Sequence, residues 1–205
     1  MLASKVIDLA KSTELRQLGV KDDVTAVLGF VNLGMLELYK RFPLKQEEAI
    51  ITLQDGKTTY TLDGTDSDVA MTTSQNFLLV SECYDEQGDT VSINDESDPL
   101  GIMTPSYNTV EVPNVAQDEK LSVIYRVSPD FATAVSNNLA LPPQLLEALL
   151  HYIGYRGNST ISSDTKAENN AHYIRFEQSC NRVIEHGLIL PDDLESFTFE
   201  TRGFT

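Results

Sequence analysis

The residues able to do chemistry in this chain are few and far apart. His151, His172 and His186 are its three histidines. None has a second ligand three or four residues further on, the spacing that sets two metal ligands on one helix face. His151 falls in the apolar run LLEALLHYIGY, where a structural histidine with its polar atoms satisfied is the expected occupant. Cys83 and Cys180 lie in separate regions, form no Cys-x-x-Cys, and are expected as buried thiols. The acidic run Asp63-Gly64-Thr65-Asp66-Ser67-Asp68 suggests calcium, but it lacks the twelve-residue spacing and the terminal glutamate of an EF-hand, so a solvated loop is expected. There is no G-x-S-x-G and no phosphate-binding loop. No catalytic residue, metal site or cofactor is therefore expected.

Charge narrows the possible partners. The net charge is −16 over 205 residues. Between Asp55 and Glu119 fourteen acids face the single base Lys57, so that stretch carries thirteen of the sixteen net negative charges. Such a surface opposes tight binding to nucleic acid or to anionic membranes, both of which need cations. The absence of tryptophan and of basic residues interleaved with aromatics removes the usual single-strand stacking platform. No run approaches the roughly 20 apolar residues of a membrane helix. The first residues, MLASKVIDLAKSTELR, are charged throughout and lack a signal-peptide core, so synthesis and retention in a cytoplasm are expected.

The elements that must position these residues can be read from periodicity. Residues 3–18 read as a short helix with Val6, Leu9 and Ala10 on its apolar face. Val24, Val27, Leu28, Val31, Met35, Leu38, Tyr39 and Phe42 recur at steps of three and four, which predicts a helix over about 23–42, stopped by Pro43. The period then changes. AIITL and TTYTL about Asp55-Gly56 read as one hairpin, and FLLVSECYD and TVSIND about Gln87-Gly88 as another. Residues 63–76 read as a long loop. VEVP and KLSVIYRVSP add two strands, and 129–141 a connecting loop. Pro142-Pro143 opens a helix that carries Leu146, Leu149, Leu150 and Ile153 and stops at Gly157. Asp164, with Glu168, caps a last helix with two apolar stripes. One is Ala167, Ala171 and Ile174; the other is Tyr173, Phe176, Cys180, Val183 and Ile184. Gly187 ends it.

The expected fold is α+β: an antiparallel bundle of about four helices (residues 1–47 and 129–187), an inserted acidic, antiparallel β-subdomain (48–128), and an extended C-terminal arm (188–205). In the arm Leu194, Phe197, Phe199 and Phe204 alternate with polar residues, a pattern suited to docking on a partner by strand addition. Two stripes on the last helix imply two packed neighbours, so Tyr152, Tyr155, Tyr173 and Phe176 are candidates for packing between subunits.

The pair LPPQLLEALLHYIGYRG and DTKAENNAHYIRFEQSCNRV resembles the C-terminal helices of head-to-tail adaptor proteins from short-tailed bacteriophages, of the tail tubular protein A type. The likeness rests on Leu141-Pro142 to Tyr155, and on Glu168, Asn169, Asn170, Ala171, Tyr173 and Phe176. More loosely, it extends to the helix ending Leu38 to Pro43 and the strand Tyr60 to Leu62. The resemblance implies a structural virion protein, made in the host cytoplasm, that forms a ring of twelve copies under the portal protein and extends the DNA channel. It also implies an arm that docks on the portal and a lower face that receives the tail nozzle protein; DNA passes without specific binding. An alternative from the residues alone is a receptor- or carbohydrate-binding β-module on a helical stalk, contacting sugar through Tyr60, Tyr84 and Tyr107.

Overall fold

The structure, a computed structural model, describes residues 1–71, 76–113, 119–159 and 166–189. The fold is α+β. The chain divides into two compact units, one from Met1–Phe42 with the chain from Pro129 onward, the other Pro43–Ser128.

The helical unit contains α1 (Ala3–Ser12), α2 (Val24–Arg41), α3 (Leu146–Ser159) and α4 (Lys166–Glu185). α1 is shorter than its sequence suggests. The Ser12 and Thr13 hydroxyls both donate to the Leu9 carbonyl, and this local competition for the backbone ends the helix. The chain then turns inward, burying Leu15 completely. α1 buries Ala3, Val6, Ile7 and Ala10, whereas Leu9, expected inside, is 40% exposed.

α2 follows its sequence pattern closely. Asp23 caps it, accepting from the Ala26 amide at 3.0 Å, and Val27, Val31, Met35, Leu38, Tyr39 and Phe42 are buried. α2 also holds the returning segment. Asn32 exchanges two 2.9 Å hydrogen bonds with the Ala132 backbone, and the Tyr39 hydroxyl donates to the Ala140 carbonyl at 2.9 Å. Gly34 sits where a β-carbon would come within 2.5 Å of Leu149 Cδ1 and 3.1 Å of Tyr152 Cδ1 on α3. The exposed Gly29, one and a half turns earlier, has nothing within 4 Å of that position. Gly34→Val is therefore expected to destabilise the protein by about 1–3 kcal/mol through overpacking. Gly29→Ala should stabilise it by about 0.4–1 kcal/mol through lost unfolded-state entropy. Urea titrations of both variants measure the opposite signs.

α3 runs on through Gly157 to Ser159, so Gly157 is not the expected stop. A β-carbon there would strike the buried Leu15 side chain; the glycine admits Leu15 against the helix. Gly187 does end α4. At φ 59° its amide bonds to Ile184 and that of Leu188 bonds to Val183, a Schellman arrangement.

The second unit holds two sheets. Its strands are β1 (Gln46–Thr52), β2 (Thr59–Thr61), β3 (Val69–Met71), β4 (Phe77–Tyr84), β5 (Met103–Ser106), β6 (Thr109–Glu111) and β7 (Lys120–Val127). The sheet orders are β3-β1-β7-β4 and β2-β6-β5, all pairs antiparallel. β7 alternates between buried and outward residues along its length, as a strand with one covered face does. Side chains from both sheets, among them Ile51, Tyr60, Val110, Val123 and Tyr125, form one core.

Neither expected hairpin forms as read. β1 and β2 flank a turn at Gly56, φ 75°, but join different sheets. The buried Tyr60 explains the departure: its hydroxyl accepts from the Gln54 amide at 2.9 Å and donates to the Lys57 carbonyl at 3.0 Å, tying the turn to β2. At the second turn, β4 is met only by a bridge from Tyr84 to Thr90. The stretch expected as a loop over 63–76 contains β3.

Candidate functional site

Histidines that are distant in sequence meet in space. Glu14 lies in the turn after α1, His151 on α3 and His172 on α4. His172 Nδ1 is 2.9 Å from Glu14 Oε2, and His151 Nδ1 is 3.4 Å from Glu14 Oε1. All three side chains are largely covered, at 14–17% exposure. Both Nδ1 atoms are shut off from solvent, so the Glu14 carboxylate is what faces them. Gly154 makes the meeting possible, because a β-carbon there would lie 2.8 Å from His172 Nδ1 and 3.1 Å from Glu14 Cβ. On its far side His151 Nε2 lies 3.6 Å from Glu147, which in turn is 3.4 Å from Arg182. A cavity of about 270 Å³, lined by Glu14, Arg16, Asn158 and His172 among others, opens beside the cluster. Sequence spacing could not reveal this group, since its members come from three elements. The one local signal was Gly154, a glycine inside an otherwise good helix.

Hydrogen bonding by His151 and then His172 holds the Glu14 carboxyl from its ordinary 4.5 down to about 2. A folded pKa below the unfolded one means stability that is present above the ordinary carboxylate range and is lost as pH falls through the folded value. Glu14→Gln is therefore expected to cost about 1–2 kcal/mol at neutral pH, after screening at this partly exposed site. The difference from wild type should shrink between pH 4.5 and pH 2, in urea denaturation curves taken at each pH.

The aromatic residues expected between subunits meet within the chain. Tyr152 lies edge-on to Phe176 at 5.3 Å and to Tyr155 at 5.7 Å; Tyr173 lies 5.2 Å from Tyr155 and 5.9 Å from Phe176. These distances suit quadrupole-driven ring pairing. The Arg41 guanidinium sits 5.6 Å from the Phe176 ring centroid and is paired with Glu177. Phe176 and Tyr152 are buried, but Tyr173 is 42% and Ile174 54% exposed. Ala171 and Ile174, the first expected stripe, lie on the open side of α4. Tyr173 and Ile184, about three turns apart, share one side of the helix and are 42% and 38% exposed, so among the described residues an apolar edge along α4 stands partly open. Ala167 and the Asp164–Glu168 cap lie outside the described side chains, and Leu194, Phe197, Phe199 and Phe204 outside the described residues.

In the acidic unit, Asp66 and Asp68 clamp Lys57 Nζ at 2.6 and 2.7 Å, over the Tyr60 ring at 4.7 Å. Asp63 accepts from the amide and hydroxyl of Thr65. Three carboxylates of the run thus point to groups of the chain itself. Tyr60, offered above for sugar contact, is fully buried, and Tyr84 donates to Glu82; Tyr107 is 74% exposed. Both cysteines are buried and unpaired thiols, and burial pushes Cys83 up to about 12, which leaves it inert at neutral pH.

A partly exposed apolar edge among the described residues and a strongly acidic unit suit a protein that works by contact. The family model of SU10 adaptor proteins matches residues 2–189. The chain belongs to this family, and its role is that of a structural adaptor of a phage tail. No curated protein matches it. Among the described residues no helix is long and apolar enough to cross a membrane.

Proposed function

We propose that the protein is the head-to-tail adaptor of its virion and carries out no reaction. Copies assemble as a ring, twelve in number, beneath the portal protein; the ring extends the DNA channel and offers its lower face to the tail nozzle protein, in the manner of the tail tubular protein A type. The family match over residues 2–189 carries this reading. The exposed Tyr173 and Ile174 on α4 support it, because a helix bearing apolar groups on two sides suits a neighbour within the chain and another beyond it.

Negative charge suits the wall of a conduit. A cationic lumen would hold DNA by counterion release, whereas an acidic one lets it pass. Residues 190–205 lie past the family match, and the Phe-x-Phe pattern there suits an arm that docks on the portal. The isolated protein is expected to be monomeric, with ring formation coupled to the portal.

Electron microscopy of the full chain mixed with portal rings of the same phage tests the reading. The expected result is a second ring of density under each portal, and portals that remain bare would overturn it.

A further inference from the structure

We infer that Glu14, His151 and His172 form a binding site for a zinc-class transition-metal ion, which would tie the turn after α1 to α3 and α4. The inference is independent of the adaptor role.

The donor set comes first. One donor atom from each of the three residues lies within 4.8 Å of the others. Two imidazoles and one carboxylate suit zinc, cobalt or nickel rather than calcium or magnesium, which prefer oxygen alone. Zinc bonds of about 2.0–2.1 Å imply ligand separations of roughly 3.4 Å in a tetrahedron. The His151–Glu14 contact is 3.4 Å and the His172–Glu14 contact 2.9 Å, so small side-chain rotations would admit the ion.

Convergence comes second. Both Nδ1 atoms are buried and face the Glu14 oxygens, as donor atoms gathered about one ion would. A metal-bound histidine usually turns its other ring nitrogen to a carboxylate, and Glu147 lies on that side, 3.6 Å from His151 Nε2.

The third observation is the cradle. Gly154 lets the His172 ring and Glu14 close on α3 without a side chain intervening, and a cavity lined in part by Glu14 and His172 opens beside them. This differs from the acidic run at 63–68, whose Asp66 and Asp68 are already committed to Lys57.

The test uses the full chain and zinc chloride. Ring signals of the three histidines are followed by NMR during titration. Zinc is expected to shift those of His151 and His172, to saturate at one ion per chain, and to leave the exposed His186 unmoved. The thermal midpoint should rise with zinc and not with the same concentration of magnesium. His172→Asn and Glu14→Gln should each weaken zinc binding at least tenfold in calorimetry. Unmoved His151 and His172 signals, a shift confined to His186, or unchanged affinity in either folded variant would overturn the assignment.

Discussion

Removing residues from Pro191 onward is expected to leave a folded, monomeric chain that no longer captures portal rings. The deletion spares the packing described above for the helical unit, down to the Gly187 turn that closes α4. Thermal stability should therefore stay within about 0.5 kcal/mol of wild type, as for changes away from buried features. What goes is the segment bearing Leu194, Phe197, Phe199 and Phe204, proposed above to dock on the portal. If that segment supplies the portal contacts, its loss abolishes capture. Co-sedimentation with portal rings reads the outcome, and capture equal to wild type would remove the arm from the mechanism.

The largest stability effect is expected at Phe176. Its ring is 1% exposed and touches Tyr152, Tyr173 and the Arg41 guanidinium. Phe176→Ala opens a cavity between α3 and α4 and should cost about 3–5 kcal/mol in urea unfolding. Ile174→Ala, two positions away but 54% exposed, is the informative partner. It should leave the monomer within about 0.5 kcal/mol of wild type and still impair ring assembly on the portal. If Ile174→Ala assembles as wild type does, the open edge of α4 is not a subunit contact.

Legibility in the sequence followed the range of the forces involved. α2 could be placed almost to the residue, because an Asp23 cap, a run at steps of three and four, and Pro43 all act locally. Gly187 was readable as a cap for the same reason. α1 was read too long, since nothing in its periodicity shows the Ser12 and Thr13 hydroxyls taking the Leu9 carbonyl. The longer strands β1, β4 and β7 were visible, β3 was hidden in a stretch read as loop, and the partners of all were not legible. Asp55-Gly56 between two β-rich runs invites a hairpin, yet the register is decided by which faces share a core, and Tyr60 takes β2 to the other sheet. The histidine cluster was invisible for a related reason. Spacing rules find ligands on one element, and Glu14, His151 and His172 come from three. Tyr152 and Phe176, marked for packing between subunits, meet each other within the chain; a stripe does not say whether its partner is the same chain or another.

The central pairing of β1 with β7, which runs from Gln46 opposite Arg126 to Thr52 opposite Lys120, has an evolutionary consequence. The acidic unit departs from and rejoins the helices along two adjacent, hydrogen-bonded lines of backbone, with the Val127 amide bonded to Lys45. A segment attached in this way behaves as a cassette. It can be exchanged for another of different size or charge by recombination at a single doorway, while the helical host goes on folding as before.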